Sequence, residues 1–101
     1  MAGSPPSASF FVRSTPHFER LLRRLAKQHV DLTAVFGEAI AILHSDPYNR
    51  SRKYAIKKLE AIPAGEGMYR LRIGRFRIRY DIEGQEVILH HCGLRREDTY
   101  R

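Results

Sequence analysis

The segment from Tyr69 to Tyr80 constrains the fold most, because its apolar and arginine residues alternate on both sides of a Gly74-Arg75 step. Strict alternation of this kind predicts a strand whose two faces differ. Two such runs separated by a two-residue Gly-X step predict a β-hairpin with the glycine in its turn. The apolar side of this hairpin must be covered, so other parts of the chain have to pack against it.

The predicted register places four arginines on one side of the hairpin, with Arg72 opposite Arg77 and Arg70 opposite Arg79. We call these four residues the arginine face. Like charges directly across a sheet are destabilising, and no acidic residue lies between positions 69 and 80. The pattern therefore predicts that the arginine face binds an anion. The alternative is a charged face that meets only solvent.

The composition bounds the class of protein and its partners. A chain of 101 residues predicts a single domain, with residues 1–7 as a disordered leader and residues 8–101 as the folded part. The formal net charge of +7 favours nucleic acid or an acidic protein as partner. The single cysteine excludes an intramolecular disulfide framework, and no apolar run reaches membrane-spanning length. We therefore expect a cytoplasmic protein without a membrane partner.

The remaining chain predicts helices that can cover the hairpin. Residues 8–13 suit a first strand, Thr15 with Pro16 suits the start of a first helix, and Asp31 can cap a second. The hairpin and a last strand over residues 86–92 follow. This β-α-α-β-β-β order predicts an α+β domain, a small antiparallel sheet with a helix hairpin on one face. The helices pack on the apolar side, and the arginine face stays open.

The turn at Gly84 decides which residues of the last strand share the arginine face. A two-residue turn puts His90 and Cys92 on that face and His91 in the core. A three-residue loop would exchange the two histidines. His90 is therefore the predicted proton-transfer candidate at the edge of the arginine face. The alternative is an ordinary half-buried histidine, since histidine is often intermediate in burial.

No metal site and no cofactor are predicted. Neighbouring strand residues point to opposite faces, so His90 and His91 should not bind one ion together. His90 with Cys92 supplies two ligands, which is too few for a structural zinc site. The sequence also has no Gly-rich phosphate loop and no catalytic carboxylate pair. Cys92 is predicted to be a buried structural thiol.

Several of these segments together resemble the RelE/ParE superfamily of toxins from bacterial type II toxin–antitoxin systems. That family shows a basic hairpin of the pattern Y-R-x-R-x-G-x-Y-R-x-x-Y and a tail of the pattern H-R-x-x-x-Y. The residues that carry the resemblance are Lys58-Leu59, residues 69–74, residues 76–80 and the ending from Arg95 to Arg101. The resemblance extends over most of the chain after residue 8 and includes the predicted order of elements.

The resemblance implies a small toxin that a cognate acidic antitoxin neutralises. RelE-like members cleave messenger RNA in the ribosomal A site without metal, and this is the favoured function. ParE-like members share the fold but inhibit DNA gyrase, and such an inhibitor without nuclease activity is the alternative. A plain RNA-binding module is disfavoured, because the hairpin aromatics are predicted to face the core and not to stack on bases.

By position, the resemblance assigns roles in the favoured reaction, in which the ribose 2′-hydroxyl attacks the adjacent phosphate. Catalysis also needs a base and an acid. Positive charge around such a base or acid should lower its pKa if the group is a histidine or a tyrosine. Arg95 stands where many members have a tail histidine. The predicted catalytic residues are Arg70, Arg72, Arg77, Arg96, Tyr100 and His90, and the predicted phosphate-binding residues are Lys57, Lys58, Arg79 and Arg95.

Overall fold

The computed structural model describes residues 9–95. The predicted leader and the tail candidates Arg96 and Tyr100 lie outside the described residues. Seven elements follow in chain order: β1 (Phe11–Ser14), α1 (Pro16–Gln28), α2 (Leu32–Ser45), β2 (Ala55–Lys58), β3 (Tyr69–Ile73), β4 (Phe76–Glu83) and β5 (Glu86–Leu94). Neither helix is long and apolar enough to cross a membrane.

The strands form one sheet in the order β1-β5-β4-β3-β2. The α+β class is confirmed, with two differences. The sheet is not wholly antiparallel, because β1 pairs parallel to β5, and the two helices form the crossover that parallel neighbours require. The edge strand β2, which pairs antiparallel with β3, was not predicted. Its four residues are too few to show an alternation.

The two helices begin where the sequence predicts, but their caps differ. The Thr15 hydroxyl accepts a hydrogen bond from the Phe18 N–H at 3.1 Å, and Pro16 stands in the first turn. The same hydroxyl donates to the Leu89 carbonyl at 3.2 Å, which ties the start of α1 to β5. Asp31 is the N-cap of α2, yet its side chain makes no cap hydrogen bond. Only Thr15 therefore provides a side-chain cap.

The core lies between the helices and the apolar side of the sheet. Tyr80 is its largest fully buried side chain, and its hydroxyl donates to the Pro47 carbonyl at 2.8 Å. Burial, aided by Tyr69 and Asp46, raises the pKa of Tyr80 well above its usual value. The other buried apolar core residues include Phe18, Leu32, Ala39, Ile42, Leu43, Leu71, Phe76, Ile78, Val87 and Leu89.

The predicted hairpin register is confirmed. Arg72 pairs with Arg77 and Arg70 with Arg79 across β3 and β4. The turn glycine, Gly74, has a φ of 59°, a value that glycine adopts at little cost. The four arginines lie on the face away from the core, so the arginine face exists as predicted.

A bulge in β5 corrects the predicted faces of two residues, His91 and Cys92. The turn after β4 has two residues, since Glu83 pairs with Glu86. Arg79 then pairs with His91 but Tyr80 pairs with Leu89, which leaves His90 as the extra residue.

An inserted residue inverts the alternation beyond it. The placement of His91 in the core is therefore wrong, as it shares the face of Arg79, and the placement of Cys92 on the arginine face is wrong as well. Cys92 is buried opposite Ile78, and burial raises its thiol pKa to about 11. The predicted burial of the Cys92 thiol is confirmed.

Candidate functional site

The arginine face forms the wall of an open cleft of about 260 Å³. Strand β3 contributes one arginine, β4 contributes two, and the bulged half of β5 closes the other side. Arg72 belongs to the arginine face but is not among the residues that line the cleft. The lining residues are Arg70, Arg77, Arg79, His91, Gly93 and Leu94.

The positive charge of the cleft has no internal counterion among residues 9–95. The ion pairs within this range join Arg13 to Glu86 and His90 to Asp81, and neither involves the arginine face. Removing a guanidinium from water without a compensating partner is costly. The cleft is therefore electrostatically prepared for an anion.

Arg70 gives the sharpest sign of a missing ligand. Its Nε is buried and has no hydrogen-bond partner among the described residues. A buried donor without a partner costs about 1–3 kcal/mol, and such atoms in native proteins call for a functional explanation. Because Arg70 lines the cleft, its guanidinium group can bind an anion there.

Arg79 is held in place by the loop that precedes β3. Its Nε donates to the Gly67 carbonyl at 3.3 Å, and a terminal nitrogen donates to the Glu66 carbonyl at 2.7 Å. Gly67 has a φ of 87°, and a Cβ there would lie 2.8 Å from the Arg79 Cβ. Only glycine allows the loop to approach this closely, so the position of Arg79 is fixed before any ligand binds.

The buried side chain of Asp81 anchors the same loop. It is 4% exposed and accepts backbone hydrogen bonds from Gly65, Gly67 and Met68 at 2.8, 3.2 and 2.8 Å. The Nε2 of His90 lies 3.0 Å from a carboxylate oxygen of Asp81. His90 therefore takes part in this buried cluster and does not line the cleft.

His91 occupies the position that was predicted for His90. It lies opposite Arg79 across the β4–β5 ladder, and its ring is 6.2 Å from that of His17, at an interplanar angle of 30°. Burial first, then Arg79 and His17, lower the pKa of His91 from its usual 6.5. The imidazole is therefore neutral at pH 7 and can accept a proton.

The other predicted phosphate ligands, Lys57, Lys58 and Arg95, lie at different places in the structure. Lys57 pairs with Arg70 and so shares the arginine face. The structure does not bring Lys58 to the arginine face, because its ammonium lies 5.9 Å above the Tyr69 ring on the core side, as alternation along β2 requires. The Arg95 N–H donates to the Arg75 carbonyl at 2.7 Å, which joins the end of β5 to the hairpin turn.

The sequence analysis missed His91 and Asp81 as parts of the site. One signal for the first was available, because Leu89 and Cys92 are both apolar but are separated by two histidines. Apolar residues three apart in a strand break its period of two, and a bulge is the usual cause. No local pattern marks Asp81, whose partners lie 13 to 16 residues away.

Within residues 9–95, no group of three or more His, Cys, Asp or Glu side chains could hold a metal ion. The chemistry that this part of the chain itself offers is anion binding by arginine, with one neutral imidazole beside it.

Comparison with solved structures finds proteins of similar fold. No family model and no curated protein matches the chain. The chain is similar to one from the RelBE2 toxin–antitoxin complex (Rv2865-2866) of Mycobacterium tuberculosis, with a TM-score of 0.66 and 25% sequence identity. The match covers 86% of this chain and 99% of that chain. It confirms the predicted resemblance, supports a toxin of a toxin–antitoxin pair, and gives no support to the gyrase alternative.

Proposed function

We propose that this chain, which has the fold of RelE-like toxins, is the toxin of a toxin–antitoxin pair and cleaves messenger RNA. The observation that carries the proposal is the buried Arg70 Nε, which has no partner among the described residues and lies in a cleft lined by three arginines. Phosphate is the ligand that arginine binds best in this setting.

The proposed reaction is attack of a ribose 2′-hydroxyl on the adjacent phosphate, and it yields a cyclic phosphate and a 5′-hydroxyl. Negative charge develops on the non-bridging oxygens, where Arg70 and Arg77 would stabilise it. Arg79 is already fixed by two loop carbonyls, and such preorganised donors act without a reorganisation cost. Arginine stays protonated at neutral pH and cannot move the proton, so other residues must do so.

The tail candidates Arg96 and Tyr100 stay predictions, as does the proton-transfer role of His90. The contact of His90 with Asp81 occupies its Nε2, and this speaks for a structural role. We further propose the ribosome as the place of cleavage, the cytoplasm as the compartment and an acidic antitoxin as the inhibitor. An acidic segment that covered the cleft would compete with RNA for the same guanidinium groups.

Replacing Arg77 by alanine should abolish both growth inhibition and RNA cleavage. Arg77 lines the cleft and its side chain forms no ion pair or hydrogen bond among residues 9–95, so loss of the guanidinium should not disturb the fold. Removing one preorganised charge-stabilising donor typically costs about 100- to 1000-fold in rate. Primer extension on messenger RNA in a translating extract measures the cleavage, and circular dichroism checks the fold.

Arg23→Ala is the matched control, because Arg23 is an exposed arginine of α1 that does not line the cleft. It should cut and inhibit growth as the wild type does. A folded Arg77→Ala protein that still cuts RNA would refute the assigned role of the arginine face. A wild-type protein that cuts no RNA but blocks supercoiling by purified gyrase would replace the nuclease with the alternative.

A further inference from the structure

We propose that His91 is the general base of the cleft and takes the proton from the attacking 2′-hydroxyl. This inference rests on the proposed ribonuclease function and deepens it. It follows from the bulge in β5, which brings the ring of His91 to the same face as the arginines.

The surroundings of His91 suit a base that must work beside a phosphate. Its ring lines the same cleft as Arg70 and Arg77, so a phosphate held by these arginines lies within the same small volume. Gly93 leaves open space there, since a Cβ at that position would meet the His91 Nε2 at 3.9 Å. A ribose next to the bound phosphate can therefore approach the imidazole without a side chain in between.

The position of the His91 ring is set by two elements. Strand β1 pairs with β5 only as far as Leu89, so the following half of β5 is free of a neighbour on that edge. The first turn of α1 occupies this place and stacks His17 against His91. The bulge thus lies next to the end of β1 and the start of α1. Together these features place the His91 imidazole in the cleft.

The charges that face His91 come from each element packed against it. Strand β4 brings Arg79 and Arg77, β3 brings Arg70, and α1 brings His17. Burial first, then Arg79 and His17, lower the pKa of His91 and so favour its neutral ring. His90, in contrast, contacts the carboxylate of Asp81 through its Nε2 and does not line the cleft. Of the two neighbours, His91 is the one poised to accept a proton.

The step balances as follows. The 2′-oxygen forms a bond to phosphorus while its proton moves to the His91 imidazole, and the bond from phosphorus to the 5′-oxygen breaks with its electron pair. The departing 5′-oxygen takes a proton from water, and the imidazolium returns its proton to the hydroxide that forms. The products are a 2′,3′-cyclic phosphate and a 5′-hydroxyl, and no oxidation or reduction occurs.

The test measures single-turnover cleavage of a short synthetic messenger RNA on ribosomes by wild type, His91→Gln and the control variant His29→Gln. Removing a general base typically slows cleavage by about 100- to 10,000-fold, and His91→Gln should fall in this range while its affinity for the RNA changes less than about threefold. His29→Gln should cut as the wild type does, because His29 stands at the end of α1 and is not among the residues that line the cleft. Because the pKa of His91 is lowered, the wild-type rate should fall in acid at a lower pH than for a base of ordinary histidine pKa, and His91→Gln should lack this fall.

A second substrate separates base from acid. An RNA with sulfur in place of the 5′-bridging oxygen has a leaving group that needs no protonation. His91→Gln should stay slow on it, whereas full recovery of the rate would make His91 the acid and overturn the proposal. Wild-type speed of folded His91→Gln on the normal RNA would also overturn it while leaving the ribonuclease function intact. A wild-type protein that cuts neither substrate would end both proposals.

Discussion

At the scale of single residues, one buried carboxylate decides how the arginine cleft is built. Asp81 accepts three backbone hydrogen bonds from the loop before β3 and contacts His90. The loop in turn supplies the two carbonyls that hold Arg79. Asp81 never needs to touch a ligand, yet the position of Arg79 depends on it.

Asp81→Ala should therefore destabilise the protein and weaken the site together. Each backbone N–H that loses a buried acceptor costs about 1–3 kcal/mol, so we expect a loss of at least about 2 kcal/mol in the free energy of unfolding. Urea titration followed by circular dichroism measures it. Glu83→Ala is the control, because this exposed acid lies two residues further along the same strand.

The two variants should differ clearly. Glu83→Ala should unfold at the wild-type urea concentration within error and keep its RNA cleavage. Equal midpoints for Asp81→Ala and wild type would show that water replaces the carboxylate and that the loop needs no anchor.

At the scale of elements, the sequence predicts those structural features that depend on residues close together along the chain. The β3–β4 register follows from alternation and from one glycine turn, and it was predicted correctly to the residue. The bulge at His90 was missed, because it depends on where β1 stops pairing with β5. The parallel pairing of β1 was missed for the same reason, since both strands are far apart in sequence.

The starts of the two helices also show what the sequence alone does not decide. The two caps should differ in how much they stabilise the protein, and this difference can be measured. Thr15 and Asp31 both look like caps in the sequence, but only Thr15 makes side-chain cap bonds. Thr15→Ala should cost about 1 kcal/mol or more of unfolding free energy, because it also loses the bond to Leu89. Asp31→Ala should cost less than about 0.5 kcal/mol.

Thermal and urea unfolding of both variants, with unchanged slopes in urea, gives the comparison. Equal losses for the two substitutions would mean that Asp31 does cap α2 in solution. The side-chain geometry at the start of that helix would then have to differ from the one described.

At the scale of the whole molecule, the fold gives the two sides of the sheet different functions. The helices cover one side and make the core, while the other side collects the arginine cleft. Hydrophobic patterning was sufficient to predict this division, as every apolar residue of the hairpin faces the helices. The cleft itself was only partly predictable. Its arginines follow from register, but its loop anchor and its histidine depend on contacts between distant segments.

A chain with a net charge of +7 should bind RNA with a steep dependence on salt. Each phosphate contact to a single strand contributes about 0.7 to the slope of log K against log salt concentration. Arg70→Ala removes the guanidinium whose Nε lacks a partner among the described residues, and it should lower that slope by about 0.7. Fluorescence anisotropy of a labelled RNA across a salt series measures the slope with a catalytically blocked His91→Gln background. Arg23→Ala should weaken binding little and leave the slope unchanged, since Arg23 is exposed on α1 and does not line the cleft. If both arginine variants changed the slope equally, RNA would be held by the overall charge of the protein and not by the cleft.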